Sequence, residues 1–462
     1  MNEKSTLIEQ VMSDIKSRID SRAYAHGSRL PSVRSQAKAM HVSVSTVVEA
    51  YERLVAEGLL VSRPGSGFYV SGPVAPLALQ EIEPAVTREI DPVWLSRQAI
   101  EEDESTLRPG CGRLPPEWLF EQGMRRALRS LARSDAIALT EYAIPQGNPA
   151  LRQLLCRRQL NLGIISKPEQ ILLTESGTQA IDLICRFLLE PGDSVLIDDP
   201  CYFNFHTLLK AHRVNAVAVT YTPNGPDLSE FKKALEEHSP RLYITNSGVH
   251  NPTGACMTPA VAHQLLKLAE LHDLIIVEDD IFADFEIQPI PRLAAFDGLN
   301  RVIQVGSFSK TISASVRCGY IAARQDWLKD LVDLKVATNL GSSRLASEII
   351  LKVLKDAGYR KHVDTIKARL AVSRVKTIQK LAELNIHPWL EPAAGMFIWC
   401  ELPNNIDATD VAKASLKQGV VLAPGPAFSH STYAKSFMRF NVAQCDDKKI
   451  FELLKKEMNK RD

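Results

Sequence analysis

The sequence predicts an α/β chain with a small helical module ahead of it, and three observations carry that reading. From about residue 106 onward, short continuous apolar runs alternate with amphipathic stretches. That is the pattern of strands buried on both faces of a mainly parallel sheet, with helices between them. Residues 1–72 instead hold three helical periodicities and then two strand-like runs around a turn. Between the two parts, residues 73–105 carry Pro73, Pro76, Pro84 and Pro92 among mixed polar residues, which reads as a linker with a short helix near its end.

The first element is a helix, with Leu7, Ile8, Val11, Ile15 and Ile19 at helical spacing. Pro31-Ser32 opens a second short helix that runs to Met40. His41-Val42-Ser43 is a turn, and Ser43 is the N-cap of a third helix. Val47, Val48, Tyr51, Leu54 and Val55 form the inner face of that helix, and Gly58 stops it. Leu59-Leu60-Val61 and Gly67-Phe68-Tyr69-Val70 then flank the tight turn Arg63-Pro64-Gly65-Ser66. Helix, helix-turn-helix and β-wing is the winged helix-turn-helix order.

In the larger part, 106–462, the strand candidates are Ile171-Leu172-Leu173, Val195-Leu196-Ile197, Val217-Ala218-Val219, Leu242-Tyr243-Ile244, Leu274-Ile275-Ile276-Val277 and Val302-Ile303-Gln304-Val305. The stretch from about 360 to 462 has fewer strands and reads as a smaller C-terminal α+β subdomain, with 448–462 as a solvated helix.

Composition bounds the function. The chain has 462 residues, 45% of them apolar and 24% charged, which excludes wholesale disorder. Its net charge of +1 excludes a uniformly basic nucleic-acid binder but leaves room for one DNA-reading module. No apolar run approaches the roughly 20 residues of a membrane span. The polar start Met1-Asn2-Glu3-Lys4-Ser5 lacks a secretory core. The eight cysteines form no C-x-x-C pair, which argues against zinc or a disulfide scaffold and suits the cytoplasm. The histidines show no metal-ligand spacing, so no metal is expected.

Chemistry collects at the ends of the strand candidates, where open α/β sheets bind ligands. Gly306-Ser307-Phe308-Ser309-Lys310-Thr311 follows one strand, and a lysine there can form a Schiff base with an aldehyde cofactor. Glu278-Asp279-Asp280 ends another, and a carboxylate there can pair with a protonated pyridine nitrogen. Ser176-Gly177-Thr178-Gln179-Ala180 joins a strand to a helix, a turn whose free N–H groups favour phosphate. Arg317 can add a charge-assisted contact to the same phosphate. Asn251, in Asn251-Pro252-Thr253-Gly254, can donate to a ring hydroxyl. Taken singly, these are also a surface lysine, a loop acid and generic turns.

In this order the motifs resemble the fold-type I pyridoxal-phosphate enzymes, the aspartate aminotransferase superfamily, over about residues 106–462. The resemblance implies that Lys310 carries the internal aldimine, Asp279 pairs with the pyridine nitrogen, Asn251 contacts the ring hydroxyl and Tyr202 stacks on the ring. It places Gly177, Thr178, Gln179, Ser307, Ser309 and Arg317 around the phosphate. Arg439, in Met438-Arg439-Phe440-Asn441, matches an arginine that clamps a substrate α-carboxylate. Tyr142 matches a tyrosine that reaches the partner subunit's cofactor, which implies a homodimer. One departure stands out. Members usually carry a tyrosine two or three residues after the aspartate, and this chain has Ile281 and Phe282. Loss of that donor alters the proton affinity of the bound cofactor and weighs against efficient transamination.

Residues 1–72 resemble the DNA-binding domain of the GntR family in Leu30-Pro31-Ser32-Val33-Arg34, in Tyr51-Glu52-Arg53-Leu54 with Glu57-Gly58-Leu59-Leu60, and in the wing. The resemblance implies that Ser43, Ser45 and Thr46 face base edges in the major groove. It places Arg34 on phosphate or a guanine edge, and Arg63 with Gly65, Ser66 and Gly67 on the backbone or minor groove. Relatives often have arginine soon after the serine, where this chain has Val44-Ser45.

The two parts together resemble the MocR-type subfamily of GntR regulators. The expected function is a pyridoxal-phosphate-dependent transcriptional regulator that binds a double-stranded DNA operator and senses an amino compound, or the cofactor itself. The alternative is an active amino-acid aminotransferase with an accessory DNA-binding domain.

Overall fold

The computed structural model describes residues 6–20, 23–24, 27–63, 65–71, 97, 106–133 and 137–460. The chain divides into two compact units, Met1–Arg88 and Glu89–Asp462. Apart from residue 97, the linker reading of 73–105 lies outside the described residues, as does Pro64 of the wing turn.

In the first unit α1 (Leu7–Asp20), α2 (Val33–Met40) and α3 (Val44–Ala56) pack around Val11, Ile15, Val47, Ala50, Tyr51 and Leu54, all fully buried. Ser32 caps α2 by accepting from the Ser35 N–H at 3.2 Å. Ser43 caps α3 by accepting from the Thr46 N–H at 3.1 Å. Ala50 takes a core position the apolar count passes over, while Val48 and Val55 are half-buried. Leu7, the first apolar residue of the α1 stripe, lies outside the core at 56% exposure. β1 (Leu60–Arg63) and β2 (Gly67–Val70) pair antiparallel, with Leu60 opposite Val70 and Arg63 opposite Gly67. Leu59 belongs to the preceding turn: its N–H bonds to Leu54 O at 2.9 Å, as Gly58 reverses the chain at φ +76°.

In the second unit the described residues form an eight-stranded sheet. Its strands are β3 (Ile171–Thr174), β4 (Ser194–Asp199), β5 (Asn215–Thr222), β6 (Gly225–Pro226), β7 (Leu242–Thr245), β8 (Ile275–Asp279), β9 (Val302–Ser307) and β10 (Gly319–Ala322). Their spatial order is β3-β10-β9-β8-β7-β4-β5-β6. β9, β8, β7, β4 and β5 are successively parallel. β10 runs against both neighbours, β3 and β9. All six strand candidates are strands, and β10 is one that the apolar-run count misses. β3 and β7 are buried at every residue, as expected of strands covered on both faces.

A second, antiparallel sheet has the order β11 (His387–Pro388), β12 (Phe397–Glu401), β14 (Phe437–Asn441) and β13 (Ala423–Pro424). Leu107 joins this region through a parallel bridge to Val420. The last helix, Lys448–Met458, is not simply solvated. It buries Ile450, Leu453, Leu454 and Met458, because those residues recur on one helical face while the lysines point outward.

Candidate cofactor site and candidate nucleic-acid interface

The parallel strands end along one edge, and the chemistry-bearing residues sit there. β8 delivers three consecutive acids, which the pleat separates. Glu278 accepts from the Leu293 and Ala294 N–H groups at 2.8 and 3.0 Å. Asp280 pairs with Arg292 at 2.8 Å. Asp279 is left for the site. Asn246 Nδ2, after β7, donates to the Asp279 carbonyl oxygen at 2.8 Å, while Asp279 Oδ1 is buried without a hydrogen-bond partner. Burial pushes the Asp279 carboxyl up to about 7, opposed by hydrogen bonds from Asn246 and Ile281 and by the charge of Lys310.

Lys310 lies beyond β9, in the turn 308–313. Its Nζ donates to Gly112 O at 2.5 Å. Burial and the neighbouring Arg439 bring its amine down to about 8, with Asp279 acting the other way. Such an amine is part neutral near physiological pH, as a nucleophile needs to be. The turn is tied down next door: Thr311 Oγ1 donates to Asp284 Oδ2 at 3.2 Å, which also accepts from Tyr359 OH at 3.1 Å.

Arg439 on β14 is fully buried. It donates from Nη1 to Asn251 Oδ1 at 2.8 Å and from Nη2 to Gly110 O at 2.6 Å. Its guanidinium carbon lies 4.1 Å from the Phe397 ring centre, and its Nε has no hydrogen-bond partner. Tyr202, just after β4, is pushed up to about 12 by burial, with Arg439 and Asp279 both acting on it.

The phosphate-type turn forms around Ser176, whose Oγ caps the helix Gly177–Leu188 by accepting from the Gln179 N–H at 3.0 Å. Gln179 turns its own Oε1 back onto the Glu175 N–H at 2.7 Å. A Cβ at Gly177 would stand 3.3 Å from Ile281 Cγ2 and 3.8 Å from Ser307 Cβ, so β3, β8 and β9 converge on it. Ser307 Oγ donates to Ser309 Oγ at 3.1 Å. Thr178 and Arg317 are exposed.

The structure therefore brings Lys310, Asp279, Asn251, Arg439 and Tyr202 into one cluster, with Gly177, Ser307 and Ser309 beside it. Tyr142 is not packed into that cluster: its side chain is 82% exposed. Where relatives carry tyrosine, Ile281 faces Gly177 and Phe282 packs edge-on against Phe397, 5.6 Å between ring centres. Among the described residues no His, Cys, Asp or Glu cluster suits a metal ion. The sequence reading passes over Asn246, Asp284 and the carbonyls of Gly110 and Gly112. The first two have a weak signal, as polar residues just past strand ends. The carbonyls have none.

Residues 117–456 match the family described as aminotransferase class I and II. The chain belongs to the aminotransferase class I and II family. Its fold agrees with solved aminotransferases. LysN of Thermus thermophilus, an α-aminoadipate aminotransferase, is 24% identical with a TM-score of 0.71, covering 79% of this chain and 93% of that one. The kynurenine aminotransferase of Pyrococcus horikoshii is 24% identical with a TM-score of 0.74, covering 84% and 98%. Membership of this family implies pyridoxal phosphate, and the cluster fits it. An orphaned, buried carboxylate oxygen on Asp279 suits a ring N–H, and a helix N-terminus at Gly177 suits a phosphate.

Residues 7–70 match the gntR family of bacterial regulatory proteins, which makes the first unit a DNA-binding module. Its union with an aminotransferase class I and II domain is that of the MocR-type regulators. Relatives matching both parts include the HTH-type transcriptional regulator YdcR of Escherichia coli (strain K12), 29% identical over 94% of each chain. YdfD of Bacillus subtilis (strain 168) is 27% identical over 96% of this chain and 95% of its own.

On the first unit Arg34, Ser43 and Ser45 are exposed and Thr46 is half-buried. Ser43 Oγ lies 2.8 Å from Ser45 Oγ and 2.7 Å from Thr46 Oγ1, so the hydroxyls at the start of α3 form one group. On the wing, Arg63 lies over the Tyr69 ring at 4.4 Å, and Ser66 Oγ meets Tyr69 OH at 2.6 Å. Gly65 is exposed and Gly67 half-buried.

Proposed function

We propose that this protein is a transcriptional regulator that reads a DNA operator through residues 1–72 and senses an amino compound through residues 106–462. The observation that carries the reading is the joint match: the regulators YdcR and YdfD align with 94% and 96% of the chain. An aminotransferase-named relative, SSO0104 of Saccharolobus solfataricus, aligns with 75%. A regulator of this kind works in the cytoplasm, where the operator is. The exposed Tyr142 supports a homodimer in which it reaches the other subunit's cofactor.

Pyridoxal phosphate, when bound, supplies an aldehyde that condenses with amines and a ring that withdraws electrons. The chain's residues bind and orient around it. Lys310 presents the amine. Asp279 holds a proton at the ring nitrogen, and Asn251 orients the ring hydroxyl. Tyr202 covers the ring face, while Gly177, Thr178, Gln179, Ser307, Ser309 and Arg317 receive the phosphate. Arg439 receives the α-carboxylate of the amino compound. Ile281 and Phe282 supply hydrocarbon where a phenol would assist proton transfer, which favours binding over turnover. Arg34, Ser43, Ser45, Thr46, Arg63, Gly65, Ser66 and Gly67 meet the DNA. A ligand regulates by binding one conformation of the dimer more tightly than another.

The test is the visible absorbance of the purified protein during addition of amino acids and amines, with operator affinity measured in parallel. A band shift that persists, with altered operator affinity, is the expected result. Lys310→Ala removes both. Steady release of a keto acid would establish an aminotransferase instead. A response of operator affinity to the cofactor alone would make the cofactor the signal.

A further inference from the structure

A segment from well before the wing joins its sheet and brings a second arginine to it. Arg29 bridges antiparallel to Tyr69. The Leu30 N–H donates to Phe68 O at 2.9 Å, and the Val70 N–H donates to Ser28 O at 3.0 Å. Residues 28–30 therefore run along the side of β2 that β1 does not occupy. Successive strand residues face opposite sides. Phe68 packs edge-on against Tyr51 of α3, 5.0 Å between ring centres, and Leu30 and Val70 are buried, so these three mark the inner side. Tyr69 takes the outer side, with Arg29 opposite it and Gly67 two residues before it. Arg63, opposite Gly67, lies there over the Tyr69 ring.

Gly67 leaves room for the incoming side chain. A Cβ at Gly67 would stand 3.4 Å from Arg29 Nε and 3.6 Å from Arg29 Nη2. The Arg29 guanidinium thus lies across the residue that pairs with Arg63. Both arginines are exposed. The ion pairs among the described residues of the first unit are Lys16–Glu57, Arg18–Asp14 and Arg53–Glu49, and neither wing arginine takes part in them. Two like charges on one face repel, and an anion set against both relieves that repulsion. A guanidinium fork fits phosphate oxygens, and a DNA duplex presents phosphates at close, regular spacing.

We propose that Arg29 binds a DNA backbone phosphate, so that Arg29 and Arg63 form a two-arginine clamp on the outer face of the wing sheet. This rests on the wing contact proposed above for Arg63 and adds to it a residue from outside the wing. A phosphate carries no base identity, so Arg29 contributes affinity on any duplex and no choice among operators.

The experiment uses the full chain and a random-sequence duplex of about 30 base pairs, with fluorescence anisotropy read between about 20 and 150 mM potassium chloride, a range over which log affinity falls linearly with log salt. Arg29→Ala and Arg29→Gln should each reduce that slope by about one, and Arg29→Lys should keep it. Arg18→Ala removes the same charge from an arginine that Asp14 already answers at 3.0 Å, and should leave the slope near the wild-type value. A wild-type slope in Arg29→Ala and Arg29→Gln overturns the inference. An equal fall in Arg18→Ala overturns it too, because net charge and not a contact would then be at work. An unchanged slope in Arg63→Ala with a fall in Arg29→Ala overturns the clamp and the wing contact proposed for Arg63. If the wild type binds no duplex at the lowest salt, DNA reading falls and this inference falls with it.

Discussion

Arg439 Nη1 donates to Asn251 Oδ1 at 2.8 Å, across 188 positions of sequence. The two residues serve different ligands in the proposed site, a carboxylate and a ring hydroxyl, yet each is oriented by the other. Asn251→Ala is therefore expected to weaken both ligands. Pyridoxal phosphate loses a donor, and the amino compound meets a looser guanidinium, each at a cost of about tenfold in affinity. Arg439→Ala is expected to abolish most of the affinity for the amino compound, which loses its ion-pair partner, and to weaken the cofactor less than Asn251→Ala does, because the Asn251 donor remains but loses its orienting partner. Spectral titrations of both ligands on both variants check this. Wild-type affinity for the amino compound in Asn251→Ala would refute it.

Lys335 is a buried lysine outside the cluster. Its Nζ donates to Pro145 O at 2.7 Å and to Leu173 O at 2.8 Å, joining β3 to the segment that carries Tyr142. Lys335→Met leaves the Pro145 carbonyl without this donor, which costs about 1–3 kcal/mol. Burial lowers the wild-type amine to about 8, so between there and its ordinary value the unfolded chain holds a proton that the folded chain lacks. Wild-type stability relative to the variant should rise as pH climbs through that window. Melting temperatures of both proteins at pH 7 and pH 10 measure the difference.

Much of this is legible in the sequence, for identifiable reasons. Strands buried on both faces are continuous apolar runs, so β3, β4 and β7 stand out. β10 does not, because Gly319-Tyr320-Ile321-Ala322 is short and follows the lysine turn closely. Asp279 and Lys310 are readable because each is the polar residue that ends or follows an apolar strand. The Gly110 and Gly112 carbonyls that meet Arg439 and Lys310 are not, because a carbonyl has no signature in sequence. Lys335 carries no signal of its own in the sequence, and only the fold shows the two carbonyls that it serves.

Asp279 makes the opposite prediction at lower pH. Burial raises its carboxyl to about 7, so between its ordinary value and that pH the folded, cofactor-free chain holds a proton that the unfolded chain has lost. Its contribution is fully present below its unfolded pKa and is lost as pH rises through 7. Asp279→Asn removes this dependence. The wild type minus Asp279→Asn difference in melting temperature should therefore fall between pH 4.5 and pH 7.5, roughly spanning the window. A difference that grows over that range would contradict the dominance of burial over the hydrogen bonds and the Lys310 charge that act on this carboxyl.

On the DNA module, Arg34 and Arg63 are exposed, and Arg63 lies over the Tyr69 ring. Arg34→Ala should cost about 1–3 kcal/mol of operator affinity if the side chain reads a base. If it meets phosphate, it should lower the salt slope by about one. Tyr69→Ala leaves Arg63 in place but removes its platform, so operator affinity should fall by less than in Arg63→Ala. Binding isotherms at several salt concentrations separate these cases. A Tyr69→Ala loss larger than that of Arg63→Ala would mean the ring itself meets DNA.

The last prediction concerns the missing phenol. Phe282 is buried three residues after Asp279, edge-on to Phe397, whose ring supports the Arg439 guanidinium. Phe282→Tyr adds one hydroxyl at nearly the same volume. A donor beside the cofactor's ring oxygen stabilises its anionic form and so lowers the pH at which the bound cofactor changes colour. The expected result is a downward shift of that spectral midpoint, with keto-acid release from amino acids higher than in the wild type. Ile281→Tyr should not reproduce it, because the Ile281 side chain is directed at Gly177, on the phosphate-type turn, and not at Phe397. If Phe282→Tyr moves neither the midpoint nor the release, the hydrocarbon at this position is not what holds turnover back, and the restraint must lie elsewhere in the site.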